Sequence, residues 1–160
     1  MPAERLRRFL TENGVKFVSI SHSPAFTAQE IAATAHVPGR ELAKTVIVKL
    51  DGKMAMAVLP ASSFVDLDLL AAAAGARRAE LATEGEFKTR FPGCEPGAMP
   101  PFGNLYEMDV FSCSTLAEDE EIAFNAGSHT ELVRLAFSDF ERLVEPRIVA
   151  FSTLRETALA

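Results

Sequence analysis

Apolar residues recur along this chain at two spacings, and the spacing decides each element. Leu6, Phe9 and Leu10 fall at helical intervals between charged residues, and Gly14 follows as a stop, which predicts an amphipathic helix over 3–13. Val15, Phe17, Val18 and Ile20 cluster β-branched and aromatic side chains into a strand over 15–20, broken by His22, Ser23 and Pro24. Thr27 and Glu30 have the spacing of a capping box and predict a short helix through 31–35, ended by Pro38 and Gly39. The apolar runs 45–50 and 53–59 flank Asp51-Gly52, a strong hairpin signal. Residues 66–74 are rich in Leu and Ala with Gly75 behind them, the pattern of a buried helix; 77–81 reads as a strand. Thr83 and Glu86 form a second capping box. Strands are predicted over 105–111, 122–126 and 132–137. Ser138 and Glu141 then open a helix that stops near Pro146, before a last strand over 147–151.

Helices and strands are intermixed without a regular βαβ alternation. That predicts an α+β fold, one domain over 1–160, with a mixed, mostly antiparallel sheet surrounded by helices. No internal repeat, low-complexity tract or linker divides it.

Composition narrows the function. Of the 160 residues 48% are apolar and 24% charged, enough to build a core without a disulfide or structural metal, so Cys94 and Cys113 do not demand a bridge. No apolar run approaches the ~20 residues of a membrane span, and the start lacks a signal-peptide core. The expected setting is cytoplasmic, with no membrane partner. The 16 basic against 22 acidic side chains leave a formal charge of −6. This argues against DNA or long nucleic acid as a general ligand, since affinity for those comes from neutralising many phosphates. Any RNA partner must be gripped locally.

The sequence contains no GxSxG, Walker A, GxGxxG or HExxH pattern. His22, His36 and His129 have no metal-ligand spacing with the cysteines, so no metal or other cofactor is expected. Ser128 and His129 are adjacent, and neighbours in a strand point to opposite faces, which disfavours a nucleophile and base pair. Cys94 is either a reactive loop thiol or an inert one, and no residue marks an activating base. The stretch 92–103 holds four of the nine prolines and three of the nine glycines. Such a loop either cradles a carbonyl or oxyanion with bare backbone N–H groups or serves as a rigid crossover. Lys44, bordering the apolar run 45–50, either snorkels to solvent or contacts a phosphate or carboxylate.

Four pieces in order carry a resemblance over nearly the whole chain: His22 to Glu30 (HSPAFTAQE), Lys44-Thr45 opening a strand, Gly97-Ala98-Met99-Pro100-Pro101 with Phe102-Gly103, and Glu121 to Gly127 (EIAFNAG). Together they resemble the YbaK family, which is similar to the editing domain of bacterial prolyl-tRNA synthetases. The resemblance implies a freestanding trans-editing deacylase that hydrolyses the ester of a tRNA mischarged with Ala, Ser, Thr or Cys. Its partners would be the 3′ end of aminoacyl-tRNA and, for tRNA selection, a synthetase or elongation factor. The competing readings are a non-catalytic module for an aminoacyl, nucleotide-like or synthetase ligand, and a small-ester hydrolase using Cys94 or Ser128.

By the same resemblance, Lys44, Gly97 and Pro101 form the catalytic set. Lys44 makes an electrostatic contact to phosphate or substrate and is not a general base. The loop over 97–101 holds the ester and the attacking water, and the 2′-hydroxyl of the terminal adenosine assists proton transfer. Phe26, Thr27, Thr45, Val46, Ala98, Met99, Pro100, Phe102, Gly103, Asn125, Gly127, Ser128 and His129 would line the substrate site. Lys49, Arg77, Arg78, Lys88 and Arg90 are rim candidates for the tRNA.

Overall fold

The computed structural model describes residues 2–21 and 41–154. The motif over 22–30 with Phe26 and Thr27, the helix expected over 31–35, and His36 lie outside the described residues. Helix α1 (Pro2–Glu12) leads into β1 (Phe17–Ser21), and the Asp51-Gly52 turn joins β2 (Leu42–Leu50) to β3 (Lys53–Pro60) in an antiparallel hairpin. There follow β4 (Phe64–Val65), α2 (Leu67–Ala74), β5 (Ala79–Leu81), α3 (Glu84–Phe87) and β6 (Asp109–Cys113). The chain continues through β7 (Glu121–Asn125), β8 (Glu131–Ala136), α4 (Phe137–Val144), β9 (Arg147–Val149) and β10 (Ser152–Thr153).

Eight strands form one sheet in the order β1-β8-β7-β2-β3-β6-β9, with β5 also on β2, and β4 pairs with β10 apart from it. Four of the seven pairings in the large sheet are antiparallel; β2–β7, β3–β6 and β6–β9 are parallel. The expected α+β class with a mixed sheet is what the chain forms.

Both faces of the sheet are covered, which is why β3 reads as a continuous apolar run and not as an alternation. Met56 and Val58 face a core with Leu6 and Leu10 of α1 and Phe137 and Phe140 of α4. Ala55, Ala57 and Leu59 face a second core with Leu70 of α2, Phe111 and Phe151. Helix α2 starts where Asp66 accepts from the Leu69 N–H and ends at Gly75, and the Thr83–Glu86 capping box forms with both hydrogen bonds.

Three expectations shift. The strand expected over 105–111 occupies Asp109–Cys113, because Gly103–Leu105 winds into a 3₁₀ turn whose Gly103 carbonyl accepts from both Tyr106 and Met108. Ser138 does not cap α4: the helix begins at Phe137, whose N–H donates to the Glu120 carbonyl at 2.9 Å, and the burial of Phe137 and Phe140 sets its start. The last strand, expected over 147–151, ends at Val149. The strands β4 and β10, two residues each, are too short for any pattern to announce them.

Phe102 anchors the Pro/Gly-rich stretch from beneath. It is fully buried, with ring centroids 6.1 Å from Phe9 and 5.7 Å from both Phe124 and Phe140. Gly103 beside it has no room for a side chain: a Cβ there would lie 2.5 Å from the Met108 carbonyl oxygen and 2.6 Å from Val110 Cγ2. Gly103→Ala is therefore expected to lower unfolding stability by about 1–3 kcal/mol, an overpacking cost, as measured by urea denaturation.

Candidate active site

The site begins with an opening in the sheet. On one edge of β2 the parallel strand β7 pairs with Leu42 and Ala43, and the antiparallel strand β5 pairs with Val48, Lys49 and Leu50. Two short strands thus share one edge, and it opens between them at Thr45 and Val46. The β2–β7 ladder ends at Ala43↔Phe124, one step before Lys44 and Asn125. Lys44 Nζ stands 5.0 Å from the Phe64 ring centroid, a cation–π contact that lays its charge along the sheet margin. The Thr45 hydroxyl and the Asn125 Oδ1 are buried and have no hydrogen-bond partner among the described residues.

Beyond Asn125 the chain turns, and the turn grips the Pro/Gly-rich loop. The Gly127 N–H donates to the Ala98 carbonyl and the Glu95 N–H donates to the Gly127 carbonyl, each at 2.8 Å. His129 closes over the same loop: its Nε2 meets the Pro96 carbonyl oxygen at 2.8 Å, and its N–H donates to Glu95 Oε2 at 3.2 Å. Since a carbonyl can only accept, His129 carries its proton on Nε2. Gly97 sits beneath the ring with φ +83°, a conformation that favours glycine, and a Cβ there would approach His129 Cε1 to 3.5 Å.

This clamp commits some donors and leaves others uncommitted. Pro96, Pro100 and Pro101 have no N–H, and those of Cys94, Glu95 and Ala98 bond to carbonyls within the loop or on Gly127. Among the described residues the N–H groups of Gly97 and Met99 at the centre of the loop, and of Gly93, Phe102 and Gly103 towards its ends, donate to no backbone carbonyl. A rigid loop with two uncommitted donors at its centre is the arrangement that stabilises an oxyanion without reorganising.

The structure thus brings Gly97, Ala98, Gly127 and His129 into contact and sets Lys44, Thr45 and Asn125 along the adjoining margin. Ala98, Met99, Pro100 and Pro101 are buried in the loop's inner half. Phe102 and Gly103 serve the core, and Val46 packs toward the α2 side. Three contributors had no sequence signal: Glu95, the Pro96 carbonyl and Phe64. Each acts through a position that only the folded loop or sheet defines.

The alternative nucleophiles are not activated. Cys94 Sγ lies 3.6 Å from the Tyr106 hydroxyl, and burial pushes its thiol up from the ordinary value. Ser128 lies in the turn between β7 and β8 and not in a strand; its hydroxyl pairs with Thr130 Oγ1 at 2.9 Å. Among the described residues no group of His, Cys, Asp or Glu is arranged to hold a metal. Of the rim candidates, Lys49 is neutralised by Glu86 at 2.6 Å and Glu80 at 3.6 Å. Hydrogen bonding to Glu86 raises Lys49, and the same bond holds Glu86 at about 2. Arg78 pairs with Glu80 at 3.3 Å, and Arg90 donates to Met54 Sδ at 3.9 Å.

Comparison with known proteins decides the family: residues 22–143 match the aminoacyl-tRNA editing domain. The chain belongs to that family. The editing domain is 30% identical over 153 residues to the Multifunctional Ser/Thr-tRNA deacylase ProXp-y of Escherichia coli (strain K12), covering 92% of this chain and 91% of that protein. Its fold is shared with a crystal structure of a candidate trans-editing enzyme for prolyl-tRNA synthetase, with TM-score 0.81 at 18% identity over 95% of this chain and 97% of that one. The hypothetical protein APE2540 has the same fold, with TM-score 0.83 at 20% identity over 94% of this chain and all of that one. The editing domain is accordingly an aminoacyl-tRNA deacylase, an ester hydrolase. No helix among its described residues is long and apolar enough to cross a membrane.

On this geometry neither Cys94 nor Ser128 is expected to act as a nucleophile. Cys94→Ala and Ser128→Ala are each expected to keep deacylation within about threefold of wild type, measured on aminoacyl-tRNA. A loss of about 10⁶-fold in either, the size seen when a covalent nucleophile is removed, would show acyl transfer to that residue.

Proposed function

We propose that the editing domain hydrolyses the ester of tRNA mischarged with serine or threonine, releasing the free amino acid and intact tRNA. The observation that carries this reading is the pair of uncommitted N–H groups, Gly97 and Met99, on a loop held rigid by Gly127 and His129. In this reading the ester carbonyl lies against those two donors, with Pro100 and Pro101 fixing the loop's return. Water adds to the carbonyl carbon, the developing oxyanion takes the donors' hydrogen bonds, and the carbon–oxygen bond to the ribose breaks. The ribose oxygen leaves with a proton that the neighbouring 2′-hydroxyl helps to transfer. No covalent enzyme intermediate forms.

The other expected residues take distinct roles. Lys44 sets a positive charge at the margin, where it contacts the 3′-terminal phosphate or the substrate. His129 fixes the loop and does not itself read the side chain. The buried Thr45 hydroxyl and Asn125 Oδ1 lack partners among the described residues, and leaving such groups unsatisfied costs about 1–3 kcal/mol each. Asn125 Oδ1 lies on the sheet face that also carries Lys44, where a substrate hydroxyl supplies its missing donor; Thr45 points to the opposite face. That favours Ser and Thr over Ala and Cys, in keeping with the name of the Escherichia coli relative. It also answers a physical need, because a synthetase pocket discriminates a missing methylene by only ~1–3 kcal/mol and requires a second sieve. Selection of the tRNA body falls to a synthetase or elongation-factor partner.

The test is deacylation of tRNAs charged with Ala, Ser, Thr, Cys or Pro. Serine and threonine are expected to be released selectively. Gly97→Val, strained at φ +83° with its branched side chain against His129, is expected to lower kcat by about 10²–10³-fold, the scale of a lost oxyanion donor, in a domain that still folds cooperatively but is less stable by about 1–2 kcal/mol. Lys44→Ala is expected to cost more on aminoacyl-tRNA than on a free amino-acid ester. No release from any of the five, with a synthetase present, would instead favour a binding module.

A further inference from the structure

We propose that a second groove, at the base of the Pro/Gly-rich loop, takes the sugar–phosphate backbone of the RNA near its 3′ end. The proposal rests on the deacylase reading for its substrate and adds a site that the reading does not require. The groove is an open, shallow depression of about 440 Å³ between the N-terminal half of α1 and the two stalks that carry the loop. Arg5 lines it from the helix, Thr89, Arg90 and Pro92 from one stalk, Asn104 and Tyr106 from the other.

Its charge sets it apart. The chain carries −6 overall, and the cations near β5 and α3 are neutralised: Lys49 by Glu80 and Glu86, Arg78 by Glu80. Among the described residues neither Arg5 nor Arg90 has a carboxylate in ion-pair range. Arg5 lies over the Tyr106 ring at 5.2 Å, and Arg90 reaches only the weak Met54 thioether. Two guanidinium groups in one concavity, with a Thr hydroxyl and an Asn amide as further donors, match phosphate oxygens. The Tyr106–Arg5 stack offers a flat platform of the sort on which unpaired bases lie. Glu107 is the opposing charge on the groove wall.

Position favours RNA over an acidic peptide. Pro92 on the groove wall is five residues from Gly97, so the two lie at most ~18 Å apart along the chain. That is the length of about five stacked nucleotides at ~3.4 Å per phosphate. A strand whose terminal ester rests on Gly97 therefore has its next few phosphates within reach of the groove. The floor is continuous with the loop: the Tyr106 ring packs on Phe91 at 4.7 Å, and its hydroxyl meets Cys94.

The experiment is binding of a labelled, uncharged acceptor-stem RNA hairpin with a single-stranded CCA end, titrated over a range of salt. This readout is independent of catalysis, so a failed deacylase reading would show in turnover and a failed groove in binding. The double variant Arg5→Gln/Arg90→Gln is expected to raise Kd at least tenfold. Its log Kd against log salt should flatten by about 1.4, the share of two phosphates on a single strand. Glu107→Gln is expected to tighten binding, a gain that misfolding does not produce. Unchanged Kd and salt slope in the double variant would overturn the proposal, as would an acidic peptide that competes with the RNA for wild type and loses its binding in the double variant while the RNA keeps its own.

Discussion

The architecture turns on one strand edge that cannot be filled. Strand β2 is nine residues long, and its inner edge must serve β7 running parallel at one end and β5 running antiparallel at the other. Parallel and antiparallel ladders place their hydrogen bonds differently, so the two partners do not merge into one strand. The backbone between them is left facing the turn that leaves β7. Everything assigned to the site is arranged around that interruption.

An opening in a sheet edge is useful only if the wall beside it is fixed. The wall here is a loop whose stiffness has three separate origins: proline restricts its torsions, Gly127 ties its backbone at both polar groups, and Phe102 sinks its far end among aromatic rings. Fixing the loop this way commits the Cys94, Glu95 and Ala98 donors to carbonyls. What remains for a ligand is small and directional, which suits a reaction whose transition state gathers charge on one oxygen. Electrostatics follow the same economy: an acidic surface neutralises cations such as Lys49 and Arg78, and leaves Arg5 and Arg90 facing one groove.

Much of this was legible in the chain. The Asp51-Gly52 hairpin, the Thr83 capping box and the Gly75 stop are local devices, each readable within a few residues, and they form as the pattern predicts. The order of the motifs pointed to the editing family before any coordinates. What could not be read was set by distant contacts. The start of α4 is decided by Phe137 and Phe140 entering the core, which overrides the Ser138 signal. The late start of β6 follows from the double use of the Gly103 carbonyl. The partition of the cations was equally hidden, because Lys49 and Arg90 look alike in sequence and differ only in which carboxylates the fold brings near them.

Phe102 ties the wall of the site to the centre of the protein, two residues after Pro100 and directly after Pro101. Its ring shares one aromatic cluster with α1, β7 and α4. The loop therefore has no low-energy way to unfasten by itself: lifting its inner half exposes the core, and the two belong to one cooperative unit. In hydrogen-exchange terms, the buried Ala98 amide, which donates to the Glu95 carbonyl at 3.0 Å, should open only when the whole fold does, although it sits in a segment with no regular secondary structure. An active-site loop of this kind resembles a core element in its dynamics, and it is the substrate, not the enzyme, that must adapt.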